Sequence, residues 1–282
     1  MSNIKFLTRV TSWTRVLNAA RRTIGKEPLD KEPSDSWKAK ILLAEHSPIR
    51  LLEFDWSWEG IKQWVTAHLV RHHEGCEKFV HTQRGDRRAI LEEYDVETRD
   101  ELPQGALNDM DMTANAQALI NISRRRLCTC ASPETREAWE QIIEELRKDD
   151  PVLAGKCVRE CVYRGFCPEW MSSCRYSETL DYKLALARYR NTDYGPLEWK
   201  DLGIYGYEIN QHGVIRDSGG VEMKLSYNPE SGYLYLPLPD GSSIKPHVEV
   251  AKHFLGWDGG SIIHRDGNRV NNHRDNLKII KS

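Results

Sequence analysis

EGIKQWVTAHLVRHHEGCEKFVHTQRGDRR, spanning Glu59–Arg88, is the stretch on which the fold turns. Its first half predicts an amphipathic helix, because Ile61, Trp64, Val65, His68, Leu69 and His72 follow i, i+3, i+4, i+7, i+8, i+11 spacing. Arg71, His72 and His73 end that helix in a row, and Arg84, Arg87 and Arg88 follow after a short loop. A buried helix that brings several planar cationic donors to one place suits a phosphorylated ligand. A core helix with a solvated basic end is the equal alternative, since charge runs usually face water.

On the N-terminal side, Leu52, Phe54, Trp56 and Trp58 alternate within Leu51–Trp58, a strand pattern. Glu45-His46-Ser47-Pro48 comes before it and breaks a short helix read from Trp37 to Leu43. Residues 1–25 read as helix, with Val10, Trp13, Val16, Leu17 and Ala20 as its stripe, and Gly25–Ser36 as a polar loop with two prolines. On the C-terminal side, residues 85–112 read as polar and irregular, and a long helix is expected from Thr113. At about 100° per residue, Asn115, Ala118, Ile122 and Arg126 share one stripe while Arg124 falls opposite. Arg126 therefore sits on an apolar-leaning face and needs a carboxylate partner or an anionic or polar ligand. Ser132-Pro133-Glu134 is a helix start, with Trp139, Ile142, Ile143 and Leu146 facing inward.

The chain has 282 residues, 39% hydrophobic and 29% charged, with a net charge of −2. This describes a folded chain of one large or two ordinary domains, with no global positive field for nucleic acid. The first residues, MSNIKFLTRVTSW, lack the apolar core of a signal peptide, and no run approaches the roughly eighteen residues of a membrane span, so a cytoplasmic location is expected. Of seven cysteines, Cys157, Cys161, Cys167 and Cys174 lie close together, and Cys128 and Cys130 precede them. Their spacings do not match common zinc pairs; buried thiols are the default, with a zinc or iron–sulfur site as the alternative. Nine tryptophans point to a stacking or apolar pocket, though core packing explains most of them.

Several short elements carry a family resemblance. Arg71-His72-His73 followed by Thr82-Gln83-Arg84 is similar to the signature of the flavin-dependent thymidylate synthases, which runs Arg-His-Arg and then Ser-x-Arg. Glu45-His46-Ser47-Pro48, Arg99-Asp100-Glu101-Leu102-Pro103 and Thr113-Ala114-Asn115-Ala116-Gln117 resemble three further elements, and Arg126 stands eleven residues after Asn115 as in that family. The resemblance covers about residues 5–170. It implies a homotetrameric α/β fold that binds FAD across subunits and converts dUMP to dTMP with methylenetetrahydrofolate and NADPH. It assigns Ser47, Arg71, His72, His73, Asn115 and Asn121 to FAD. It assigns His68, Arg71, Thr82, Gln83, Arg84, Arg99 and Arg126 to dUMP, with Arg126 polarising the uracil ring. The sequence departs from the pattern at His73, at Cys76, at Gln117 and by one extra residue before Thr82, so a different pyrimidine nucleotide is an open alternative.

A second resemblance lies in residues 197–282. Glu198-Trp199-Lys200-Asp201 with Tyr207–Arg216 looks like the DNA-binding module that precedes HNH homing endonucleases. His247–Leu255, Ile263-His264-Arg265-Asp266-Gly267-Asn268, Asn271-Asn272 and Asn276-Leu277 resemble the ββα-metal core. That family implies His264 as general base and Asn272 beside it. Ile263 stands where a metal-binding Asp or Asn is common, and from Gly195 there are ten Lys or Arg against eleven Asp or Glu. The expected organisation is α+β: residues 1–176 a thymidylate-synthase-like α/β domain, 177–196 a linker, and 197–282 a truncated HNH-like module with weak DNA binding at most. A DNA-acting protein with a repurposed nucleotide-binding scaffold is the competing hypothesis, and the fusion itself suggests a phage or mobile-element source.

Overall fold

The computed structural model describes residues 3–82, 102–170 and 174–280. Two compact units emerge, one of Met1–Cys174 with Thr192–Tyr194 and one of Arg175–Asn191 with Gly195–Ser282. Helices and strands are mixed in both.

The alternating run that begins at Leu52 forms the spine of the first unit. β2 (Glu53–Lys62) turns Phe54, Trp56, Trp58 and Ile61 inward, each at most 1% exposed. Trp58 and Ile61 both face in because the register slips between them, where Gly60 adopts φ +66°. A left-handed residue at such a bulge is where glycine costs least. β2 pairs antiparallel with β1 (Asn3–Arg9) on one side and β4 (Leu107–Asn115) on the other, with β3 (Cys76–Val80) beyond, in the order β1-β2-β4-β3.

Three sequence expectations change here. Residues 3–9 form a strand rather than helix, because Ile4, Leu7 and Thr8 pair with Trp58, Trp56 and Asp55; the helix begins only at Trp13, as α1 (Trp13–Arg22). The helix read from Glu59 is α3 (Gln63–Leu69), since residues 59–62 remain in β2. Residues 107–115, read as irregular and then helical, form β4, with Asn108, Met110, Met112 and Ala114 buried on one face. Ladder bonds to two neighbours overrode weak local propensity there.

The predicted short helix is α2 (Asp35–Leu43), capped by the Ser34 side chain, and Ser47–Leu51 is a 3₁₀ turn that leads into β2. α4 (Ala116–Arg126) and α5 (Pro133–Asp149) supply the helical side of the core. Trp139 on α5 places its ring 6.1 Å from Trp56 and 6.4 Å from Trp58. Its Nε1 donates to Ser123 Oγ at 2.8 Å, and Trp58 Nε1 donates to the Ala138 carbonyl at 3.3 Å. Three of the tryptophans are thus core; Trp58 and Trp139 have their indole N–H bonded, while the buried Trp56 Nε1 has no hydrogen-bond partner among the described residues. α6 (Pro151–Ala154) and α7 (Glu160–Arg164) complete the unit.

The second unit is built from short antiparallel pieces. β5 (Trp199–Asp201), β6 (Glu208–Asn210) and β7 (Ile215–Arg216) form one sheet after the helix α8 (Leu180–Arg190). β8 (Ser226–Tyr227), β9 (Leu234–Pro237) and β10 (Ser243–Ile244) form another. The helix α9 (Pro246–Leu255) follows, and then the hairpin of β11 (Ser261–His264) and β12 (Leu277–Ile280). Ile209, Ile215, Leu236, Ile244, Val250 and Leu277 make its core. The polar segment read as linker contains α8, which is tied to this unit: Asn268 Nδ2 donates to the Lys183 carbonyl at 2.8 Å, and Arg190 faces Asp266 at 3.6 Å. No helix among the described residues is long and apolar enough to cross a membrane.

Candidate functional site

The first unit gathers its cations where α3, β3 and the end of α4 meet. α3 stops at Leu69, so Arg71, His72 and His73 fall in the turn before β3 rather than on the helix. Arg126, in the last turn of α4, reaches this turn. Its Nε donates to His72 Nε2 at 2.9 Å, and its Nη2 donates to the His68 carbonyl at 2.6 Å. His68 Nδ1 lies 2.9 Å from Thr135 Oγ1, which in turn accepts from Ser132 Oγ at 2.8 Å. The Trp64 ring stands edge-on to His68 at 5.4 Å. On the other side, Lys78 Nζ and Cys76 Sγ both donate to the His72 carbonyl, the latter at 3.3 Å.

The electrostatics of this cluster are one-sided. Burial, then the neighbouring Arg126 and Lys78 charges, pushes the His72 imidazole down to about 4. His72 is therefore neutral at pH 7, which is what lets Nε2 accept from the Arg126 guanidinium. His68 is lowered by burial and then by Arg126 and Arg71, and Arg126 itself is lowered by burial and by Arg71. Among the described residues, neither Arg126 nor Arg71 forms an ion pair with a carboxylate. Arg124 is the contrast: it leaves α4 on the opposite face, as the helical geometry predicts, and pairs with Glu45. A half-buried guanidinium held by neutral acceptors beside a second arginine has the composition that an anion site requires.

The other predicted residues separate into groups. Asn115 caps α4: its Oδ1 accepts from Ala118 N at 2.9 Å, which leaves the amide Nδ2 for other partners. It also packs on Gly75, where a Cβ would lie 2.6 Å from Asn115 Nδ2, so Asn115 borders the His72–Cys76 turn. Asn121 belongs to a second network, accepting from Gln117 at 3.3 Å and from Arg124 at 3.1 Å, while Gln117 also donates to Glu45 at 2.6 Å. Ser47 is exposed at the start of the 3₁₀ turn that follows Glu45. Thr82 lies past the far end of β3. Cys76, at the near end, pairs with Ala114, and Val80 pairs with Met110, so at about 3.3 Å per residue Thr82 is some 20 Å from Cys76 along the strand. Within one chain the structure does not bring Thr82 to Arg126. Gln83, Arg84 and Arg99 lie outside the described residues.

Sequence reasoning missed Thr135, Lys78 and Glu45. Neither Thr135 nor Lys78 belongs to a motif, and the strand that carries Lys78 was not read from the sequence. Glu45 was read only as part of a motif.

In the second unit, His264 and Asn272 do come together, with Nε2 of the histidine 3.3 Å from Asn272 Oδ1. His247, at the start of α9, packs its ring 5.6 Å from His264 and stacks on Tyr233 at 4.4 Å. Burial lowers both histidines, His247 to about 4, and the buried His247 Nδ1 has no hydrogen-bond partner among the described residues. Ile263, one residue before His264 on β11, is exposed and faces the opposite way.

Comparison with known proteins adds to this geometry. Residues 88–152 match the family model described as Thymidylate synthase complementing protein. The flavin-dependent thymidylate synthase of Nitratidesulfovibrio vulgaris is 24% identical over 200 residues, 56% of this chain and 78% of that one. Among solved structures, a UMP/dUMP methylase PolB from Streptomyces cacaoi bound with 5-Br dUMP aligns with a TM-score of 0.45 at 13% identity, covering 59% of this chain and 96% of that one. ThyX from Helicobacter pylori, complexed with FAD and dUMP, aligns at 0.43 and 12%, covering 56% and 99%. The family-model match takes in α4, and with it Asn115, Asn121 and Arg126, so similarity to the thymidylate synthase complementing proteins falls on the helix that carries the half-buried arginine.

Proposed function

We propose that the first unit binds a pyrimidine nucleotide together with FAD and methylates the base, in the manner of a flavin-dependent thymidylate synthase that makes dTMP from dUMP. The carrying observation is Arg126: half-buried, lacking a carboxylate among the described residues, and oriented by His72 and the His68 carbonyl. The match of residues 88–152 and the 24%-identical relative support the same reading. The residues present fit both ligands, because Arg71, Arg126 and Lys78 supply positive charge and Asn115 keeps an amide N–H outside its capping bond.

Bound flavin supplies the hydride chemistry; this chain's residues bind and orient. Arg126 is the polarising group, placed to stabilise negative charge that develops on a uracil carbonyl oxygen. Neutral His72 holds the guanidinium in one orientation without adding a competing charge. His68, fixed by Thr135, anchors the same arginine through its backbone carbonyl. Ser47, Arg71, His72, His73, Asn115 and Asn121 form the FAD assignment, and Thr82, Gln83, Arg84 and Arg99 join His68, Arg71 and Arg126 in the nucleotide assignment. Methylenetetrahydrofolate as carbon donor, NADPH as reductant and a homotetramer belong to this reading. Under it, Thr82, at the other end of β3, serves the site of a different copy from the one His72 serves.

Binding tests the proposal. FAD-loaded protein titrated with dUMP and with UMP should bind at least one of them, with a change in the flavin spectrum; failure to bind either would overturn it.

A second reading concerns the second unit alone. His264, Asn272 and His247 form a buried histidine–amide cluster that favours descent from an HNH-type nuclease core. Ile263 removes a metal ligand that such a core uses, so we infer at most weak DNA contact from this unit. A nicking assay with Mg²⁺ or Mn²⁺ should give no robust cleavage; cleavage abolished by His264→Ala would contradict this.

A further inference from the structure

The first turn of α5 brings a pair of hydroxyls against the ring of His68. Thr135 is fully enclosed there. Among the described residues its Oγ1 has two partners, Ser132 Oγ at 2.8 Å and His68 Nδ1 at 2.9 Å. A threonine hydroxyl carries one hydrogen and two lone pairs. Ser132 Oγ donates to Thr135, so it cannot also take the Thr135 hydrogen. A hydroxyl shut away from water needs an acceptor for that hydrogen, and Nδ1 is the partner that remains.

This order of donors fixes the imidazole. Burial, then the Arg126 and Arg71 charges, lowers His68 below its ordinary 6.5, so the ring is neutral at pH 7. A neutral imidazole whose Nδ1 accepts carries its proton on Nε2. His68 lies in the last turn of α3 and is half-buried, and its own carbonyl accepts from Arg126 Nη2 at 2.6 Å. The Trp64 ring stands edge-on beside it at 5.4 Å. Among the described residues Nε2 has no hydrogen-bond partner, so it is the ring atom left for a ligand.

We propose that Thr135 is a positioning residue for the nucleotide site: its hydroxyl holds His68 as the Nε2–H tautomer, so that His68 offers a ligand a hydrogen-bond donor and no acceptor. A donor of this kind suits the O4 oxygen of uracil and not the N4 amine that cytosine carries at the same place. The preference for a base rests on the nucleotide reading above; the tautomer does not. Thr135→Val keeps the shape of the side chain and removes the hydrogen bonded to Nδ1. The ring is then free to move its proton to Nδ1 and to present a bare Nε2 to an amine. Thr135→Ser restores the hydroxyl.

Nitrogen NMR of the full chain, labelled with ¹⁵N-histidine and with His68 identified by its loss in His68→Gln, tests the tautomer. At pH 7 the parent and Thr135→Ser should show Nε2 protonated and Nδ1 bare, and Thr135→Val should show a mixture. Protonated Nδ1 in the parent, or a Thr135→Val spectrum identical to the parent's, would overturn the proposal. The parent spectrum decides even where Thr135→Val fails to fold. Titration of the FAD-loaded proteins with dUMP and with dCMP tests the consequence. The ratio of the two affinities should fall about tenfold in Thr135→Val and less than about threefold in Thr135→Ser. An unchanged ratio in a folded Thr135→Val protein would also overturn it. Failure of the parent to bind either nucleotide would instead overturn the nucleotide reading, and with it the base preference, while the NMR result still decides the tautomer.

Discussion

Replacing Arg126 by alanine isolates the interaction on which the proposed chemistry depends. A guanidinium carries five N–H donors; Nε and one hydrogen of Nη2 are committed to His72 and the His68 carbonyl, and the rest are available to an anion. A hydrogen bond to a charged group contributes about 1.5–3 kcal/mol. With about 1.4 kcal/mol per decade, Arg126→Ala should weaken nucleotide binding by roughly 10- to 100-fold. Stability should move little, within about 1 kcal/mol, because two lost hydrogen bonds are offset by removal of a half-buried charge that has no counter-ion. Isothermal titration of the FAD-loaded protein with dUMP reads the affinity, and thermal unfolding reads the fold. Arg126→Lys keeps the charge but cannot make both native contacts with planar geometry, so it should also bind weakly. A folded Arg126→Ala protein whose affinity for dUMP falls less than about threefold would refute the assignment of Arg126 to the ligand.

Three further outcomes follow from the structure. The folded-state value of His72 near 4 lies below its ordinary 6.5, so the unfolded chain binds the extra proton; stability should be full above about pH 6.5 and fall as pH drops toward 4. Denaturant midpoints across that window check this, and the slope should shrink in His72→Gln; an unchanged slope would refute the assignment. Gly75→Ala forces a side chain into φ +71°, with its Cβ 2.6 Å from Asn115 Nδ2. It should cost about 1–3 kcal/mol and weaken flavin binding by displacing the Asn115 cap; urea unfolding with flavin titration reads both, and an unaffected protein would refute it. Trp139→Ala empties the space against the paired Trp56 and Trp58 rings and should destabilise the first unit by about 3–5 kcal/mol, measured by chemical denaturation; a loss under about 1 kcal/mol would place the core elsewhere.

What could be read from the chain alone depended on how local each cause was. The alternation of Phe54, Trp56 and Trp58 announced β2, and the 3.6-residue period of Trp139, Ile142, Ile143 and Leu146 announced α5, because burial of one face writes itself into sequence. β1 and β4 were hidden because their pairing with β2 is set by residues dozens of positions away, and Asn108, Met110 and Met112 are not strand-favouring types. The separation of Arg124 from Arg126 followed from helical geometry. Their partners did not: Glu45 is 79 residues from Arg124 and His72 is 54 from Arg126. The helix at Glu59 was misplaced by four residues because Ile61 fits both the strand and the helical stripe. Its end matters more for the site: α3 stops at Leu69, which leaves His72 in a turn where Arg126 reaches it.

Flavin binding tests the central claim most directly. Protein incubated with FAD and passed through a desalting column should emerge yellow, with the absorption of an oxidised flavin, and dUMP or UMP should perturb that spectrum in the parent at concentrations roughly 10- to 100-fold lower than in Arg126→Ala. Colourless protein that retains no flavin after this treatment would contradict the account.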